Sequence, residues 1–151
     1  MITNIWIDAD SCPLKVRNHV VEYGAKKGIK IFFVANKQID CQSKNPYEMI
    51  ITDEQKDSAD NYIFDHAQSG SDLVITRDIV FADRLVEKGI LAINDRGTEF
   101  TKEIIKERLS ERDFNLQLVE MGLSKPYHEG YDQKKFEKFA NCLDRVVVRN
   151  L

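Results

Sequence analysis

Five short apolar runs, each set apart from the next by a loop or a helix-length amphipathic stretch, constrain this chain more than any single motif. "NIWID" (4–8), "IKIFFV" (29–34), "YEMIIT" (47–52), "DLVIT" (72–76) and "ILAIN" (90–94) all have strand length. The second is apolar almost throughout, as a strand covered on both faces must be. Helical patterns fall over 13–27, 58–68 and 78–89, with Pro13 at a helix start and Gly28 and Gly70 as stops. This alternation predicts an α/β fold, a mostly parallel sheet with helices on both faces, over residues 1–97. From Thr98 onward the chain reads as helical. "TKEIIKERLSERDFNLQLVEMG" is one helix, or two broken near Ser110. "YDQKKFEKFANCLDRVVVRNL" sets Phe136, Phe139, Ala140 and Leu143 on one helix face, although its "VVVRNL" ending also fits a strand. Residues 1–151 are therefore expected to form a single domain with a helical C-terminal segment.

Parallel sheets bind ligands beyond the carboxyl ends of their strands. Those ends carry Asp8 and Asp10, Asn36 and Lys37, Arg77 and Asp78, and Asn94, Asp95 and Arg96. Asp8 is the most informative, because it closes an apolar strand where a buried unpaired charge is expensive. Asp10 could instead cap the following helix, and Asp78 the one after the fourth strand. Asp57 and Asp60, three apart, share a helix face. They too have a structural account, Asp57 as N-cap and Asp60 in the first turn, where the helix dipole favours acid. Asp65 and Asp83 read as solvated helix-face charges.

Convergence favours chemistry. If the fourth strand lies beside the first, Asp8 and Asp78 end neighbouring strands, about 4.8 Å apart between axes. Carboxylates that close repel unless a cation lies between them. Hard oxygen donors without nearby His or Cys point to Mg²⁺ or Mn²⁺ rather than zinc. Such a site suits hydrolysis of a phosphodiester. Lys15, Arg17, Lys37, Arg77 and Arg96 lie near the same edge, where a polyanion would need cations. The net charge of −3 and pI near 5.7 exclude the broadly basic surface of a nucleic-acid-coating protein and leave room for a local basic rim. Cys12, Cys41 and Cys142 are too scattered for a disulfide framework or zinc ribbon. No apolar run reaches membrane-spanning length. The expectation is a cytoplasmic protein without a membrane partner.

Several stretches then resemble a known family. "IWIDADSCP", "VAN", "DSADNYI", "GSDLVITRDIVFA", "NDRG", "RD" and "FANCLDR" are similar, in order and spacing, to the bacterial YaiI/YqxD-type proteins, which are related by fold to the PIN-like nuclease superfamily. The likeness runs over nearly the whole chain. It implies a Rossmann-like three-layer fold with strand order 3-2-1-4-5 and an acidic cluster binding a divalent metal. Its best-matching positions are Asp8, Asp10, Asp57, Asp60 and Asp78. An Asp ending the first strand, an acid on a middle helix and an Asp after "VIT" are met by Asp8, Asp60 and Asp78. By the resemblance, Asp8, Asp60 and Asp78 would hold Mg²⁺ or Mn²⁺. Asp10 and Asp57 would complete the shell or orient waters, and Lys15 and Arg96 would contact phosphate. Nuclease activity is expected, on RNA rather than DNA. In the loop before the last helix the chain reads "LSKPYHEGYDQ" where the family carries a glycine pair, so residues 124–131 receive no role.

Two other readings compete. A haloacid-dehalogenase-like phosphatase also opens with D-x-D after a first strand and would use Asp8 as nucleophile. "DADSCP", however, lacks its Gly-Thr and leads directly into a helix. A non-catalytic RNA- or protein-binding module would keep the fold without the metal. A cysteine phosphatase is excluded by spacing, since four residues separate Cys12 from Arg17 where that chemistry uses five. Cys12 is expected to be a packed small residue.

Overall fold

The computed structural model describes residues 1–123 and 130–151. The strands are β1 (Asn4–Asp8), β2 (Lys30–Ala35), β3 (Glu48–Ile51), β4 (Asp72–Ile75) and β5 (Leu91–Ile93). They form one all-parallel sheet in the order β3-β2-β1-β4-β5. The helices are α1 (Leu14–Lys27), α2 (Ser58–His66), α3 (Ile79–Glu87), α4 (Lys102–Glu120) and α5 (Gln133–Arg149). The predicted α/β class and strand order are both present.

The period of two along each strand divides the core between the two faces. Ile5 and Ile7 of β1, Ile31 and Phe33 of β2, and Leu73 and Ile75 of β4 join Val16 and Val20 of α1 and Phe139, Leu143 and Val146 of α5. Trp6, Val34, Val74 and Ala92 point the other way. They meet Ala59 and Ile63 of α2, Phe81 and Leu85 of α3, and Ile105 of α4. Each such large side chain, once buried, contributes about 1.5–3 kcal/mol. With helices on both faces, the chain's chemistry is confined to the sheet's two ends.

The end carrying the strand N-termini has its own anchor. Asp72, 2% exposed, accepts hydrogen bonds from Trp6 Nε1 (2.8 Å), Asn4 Nδ2 (3.0 Å), Ser71 Oγ (2.7 Å) and the Gln68 backbone N–H (3.1 Å). Trp6 also stacks on Phe32 at 4.3 Å between ring centroids. The conspicuous tryptophan of the first strand is thus tied to an aspartate at the start of the fourth.

Both open readings of the C-terminal segment resolve to unbroken helix, and two strands differ in length from expectation. The 102–120 stretch is one unbroken helix, because the Ser110 hydroxyl donates back to the Lys106 carbonyl (3.0 Å) without interrupting it. "VVVR" closes α5 and Asn150 caps it, with Val146 and Val147 buried on the α1 side of the sheet. Both β3 and β5 are shorter than the apolar runs that predict them. Of the loop at 124–131, residues 124–129 lie outside the described residues. Among the described residues no helix is long and apolar enough to cross a membrane.

Candidate functional site

β1 pairs in parallel with β4, Ile7 opposite Ile75, so Asp8 and Thr76 leave the sheet side by side. Both continue the parity of Trp6 and Val74, which directs them to the face covered by α2. There the first turn of α2 presents Asp60, on the same helix face as the buried Ile63 and only 8% exposed. The loops beyond the strands complete a cleft of about 470 Å³. Asp8, Asp10, Glu54, Asp57, Asp60 and Asp78 line it against two cations, Lys56 and Arg77, with Ser11 and Asn36 also in the wall.

The centre of this cleft is a carboxyl pair. The Thr76 hydroxyl donates to Asp8 Oδ2 at 3.1 Å. The Asp60 carboxyl lies beside that of Asp8, close enough for the two acids to interact directly. Burial pushes the Asp8 carboxyl above the usual range, opposed by the Thr76 hydrogen bond and assisted by the Asp10 charge. Asp60 is pushed up to about 7, by burial first and then by the charges of Asp8, Asp78 and Asp57. Two acids this close resist ionising together, because each charge raises the cost of the other.

The other predicted aspartates occupy the same cleft in different ways. Asp78 is the N-cap of α3, Oδ1 accepting from the backbone N–H groups of Val80 (2.9 Å) and Phe81 (3.2 Å). Oδ2 takes no hydrogen bond among the described residues. Capping and a place at the cleft therefore coexist, and substitution separates them. Asp78→Asn retains a capping oxygen and is expected to cost a few tenths of a kcal/mol, whereas Asp78→Ala should cost about 1 kcal/mol. Urea unfolding of the two variants measures the difference, and equal losses would show that the cap contributes nothing.

Asp57 and Asp10 do not act as caps. Asp57 holds the N-cap position of α2 with φ 64°, and its side chain makes no capping bond. It is the one non-glycine at positive φ among the described residues, a conformation that costs about 1 kcal/mol and that aspartate tolerates better than most. The N-cap of α1 is Pro13, which leaves Asp10 exposed at the cleft rim. Neither acid is explained by its helix.

The expected basic rim is mostly elsewhere. Lys15 donates to the Gln133 side chain and lies over the Phe136 ring, 5.1 Å from its centroid, outside the cleft wall. Arg17 bonds the Cys12 and Asp40 carbonyls, and Lys37 borders a separate groove with it. Arg96 is partly buried behind the cleft, its Nε without a partner, and its charge acts on the Tyr131 hydroxyl. Of the five predicted cations only Arg77 reaches the acids. Cys12 is buried, and burial followed by the Asp95 charge raises its thiol to about 12, far from a nucleophile's range.

The donors present suit a hard divalent cation. Burial and the Asp8 charge raise the Asp60 carboxyl, and a cation held by the two acids would offset that repulsion. Among the described residues no three His, Cys, Asp or Glu side chains are gathered to hold an ion directly. A magnesium-like site needs only one or two carboxylates, with waters reaching the rest.

Fold and site together define a class: a doubly wound parallel-sheet protein with a carboxylate cleft beyond the C-terminal ends of its central strands. The comparisons then make the assignment specific. The family model described as "Uncharacterized BCR, YaiI/YqxD family" matches residues 6–149, and the chain belongs to that family. Relatives named UPF0178 protein include one from Treponema denticola, 38% identical with 97% of this chain and 93% of the relative covered. Another, from Psychromonas ingrahamii, is 40% identical with 96% and 95% covered. A third, from Treponema pallidum, is 40% identical with 97% and 82% covered. No solved structure matches the chain.

Proposed function

We propose that this protein is a Mg²⁺- or Mn²⁺-dependent nuclease of the PIN-like kind, hydrolysing phosphodiester bonds in RNA. The observation that carries the reading is the close carboxyl pair Asp8 and Asp60, both pushed upward by burial and set in an acidic cleft beside Asp78. Structural carboxyls are normally paired with cations or backbone N–H groups, and strongly perturbed acids in a cleft mark function. The choice of RNA rests on the likeness to PIN-like nucleases, and fold analogy alone supports it.

In this reading Asp8, Asp60 and Asp78 would hold the ion, and Asp57 and Asp10 would complete its shell or orient waters. When bound, the ion supplies a water nucleophile at neutral pH and neutralises charge on the phosphate. The chain's own part is orientation. Thr76 fixes the Asp8 carboxylate through its hydroxyl and also accepts the Asp78 backbone N–H at 3.1 Å, which ties the two strand ends together. The six acids of the cleft repel an RNA strand until a cation is present, so ion and substrate should bind in that order.

Calorimetric titration of Mn²⁺ into wild type and Asp8→Asn, paired with a cleavage assay on single-stranded RNA, tests the proposal. Binding and cleavage are expected in the wild type, and neither in the variant. Mn²⁺ binding that survives Asp8→Asn would sink the site assignment. Metal binding without cleavage of any RNA would leave a module that recognises without cutting.

A further inference from the structure

We propose that Arg77 is the phosphate-receiving group of this cleft and that Asp95 positions it. The inference rests on the nuclease reading above and adds to it the residue that meets the substrate. Arg77 follows β4 and Asp95 follows β5, the neighbouring strand. Arg77 Nε donates to Asp95 Oδ2 at 2.7 Å, and Nη2 lies 2.6 Å from the same oxygen. Both nitrogens on one side of the guanidinium are thereby committed, which leaves Nη1 uncommitted among the described residues. The exposures of the two side chains are unequal: Asp95 is 2% exposed and Arg77 35%. One partner is sealed in the protein while the other opens on the acids.

A purely structural ion pair has no need of that asymmetry. Asp95 is held from behind, since its carbonyl accepts the Tyr131 hydroxyl at 2.6 Å. Its loop is further wedged against α5 at Gly97, where a Cβ would lie 2.7 Å from the Lys138 carbonyl oxygen. Asp95 Oδ1 is buried without a partner and borders a small cavity shared with Asp8, Ser11, Thr76 and Arg77, close to the size of one water. A guanidinium fixed at two nitrogens loses little freedom on binding and matches the paired oxygens of a phosphate. Lys56, the other cation of the cleft, has no such support among the described residues. Arg77 thus lines the same cleft as Asp8 and Asp60, where a phosphate lying over those acids can meet it.

The test uses the full chain with two probes, Mn²⁺ followed by calorimetry and a labelled phosphorothioate oligoribonucleotide followed by anisotropy in the presence of Mn²⁺. Arg77→Lys keeps the charge and loses the fork. It is expected to weaken oligonucleotide binding about tenfold while leaving Mn²⁺ affinity within about twofold of wild type. Asp95→Asn, which frees the guanidinium without touching substrate, should weaken the oligonucleotide by several-fold and again spare Mn²⁺. Should Arg77→Lys fail to fold, the double variant Arg77→Met/Asp95→Asn removes both charges at once and strands neither. Wild-type oligonucleotide affinity in a folded Arg77 variant that still binds Mn²⁺ overturns the proposal and leaves the nuclease reading standing. Absence of Mn²⁺ binding in the wild type overturns that reading and this proposal with it.

Discussion

Asp60→Asn is expected to melt at a higher temperature than wild type above about pH 7, and to bind Mn²⁺ on the order of a hundredfold more weakly. The two effects have one origin. A carboxyl whose folded pKa lies above its unfolded value stabilises the protein only while it holds its proton. For Asp60 that contribution is complete below about pH 4 and is lost as pH rises toward about 7. A rise from 3.8 to about 7 corresponds to about 4 kcal/mol if nothing screens it, and a cleft open to water reduces this to roughly 1–2 kcal/mol. Asparagine cannot ionise, so the variant escapes the loss, and its melting temperature should exceed that of wild type by several degrees at high pH. Below pH 4 the two curves should meet. At the proposed site Mn²⁺ would bind the ionised Asp60, so its affinity should fall with pH below about 7, by up to tenfold per unit. Parallel melting curves of wild type and variant across this range would show that the Asp60 carboxyl is not raised.

Asp72 should behave in the opposite way. It is as buried as any acid among the described residues, yet it accepts four hydrogen bonds and lies outside the acidic cleft. Asp72→Ala leaves the Trp6 indole N–H and the Gln68 backbone N–H buried or half-buried without acceptors. Each such loss costs about 1–3 kcal/mol, for a total of about 3–5 kcal/mol. The melting temperature should drop by roughly 10 °C. Differential scanning calorimetry measures this directly, and Mn²⁺ affinity of the folded fraction should be unchanged. A drop of only a degree or two would mean that water replaces the lost oxygens. One aspartate stabilises the fold and the other costs it stability. That contrast separates an acid that stabilises the architecture from one whose placement only the proposed chemistry would explain.

Much of this arrangement is legible in the sequence. The alternation of apolar runs with helical periods carries the α/β class, and "NIWID" and "DLVIT" mark the strands whose ends carry Asp8 and Thr76. Helix spacing places Asp60 correctly in a first turn. Other features depend on what the chain meets in space. Asp72 looks like the edge of a strand until Trp6 is seen beside it. Asp95 and Arg96 look equally available after β5. Parity and the packing of Tyr131 send the first to Arg77, while the second is partly buried behind the cleft. Lys15 has the right charge one turn into α1, but α5 crosses there and takes it. Capping assignments are the least secure of the local readings. Asp78 does cap its helix, whereas Asp57 and Asp10, with the same local credentials, do not.

The positions of Tyr131 and Gly97 bear on the order in which the site is completed as the polypeptide is made. Asp8, Asp60, Thr76 and Asp78 emerge from the ribosome early, and every acid of the cleft lies before α3 is complete. The Asp95 carbonyl waits for a hydroxyl 36 residues further on, about two to seven seconds at ordinary rates of translation. Lys138, against which Gly97 is wedged, follows later still. During synthesis the half of the cleft that attracts cations therefore precedes the half whose rigidity aims Arg77, and a chain truncated before α5 would carry the acids without the finished support for their one firmly held guanidinium.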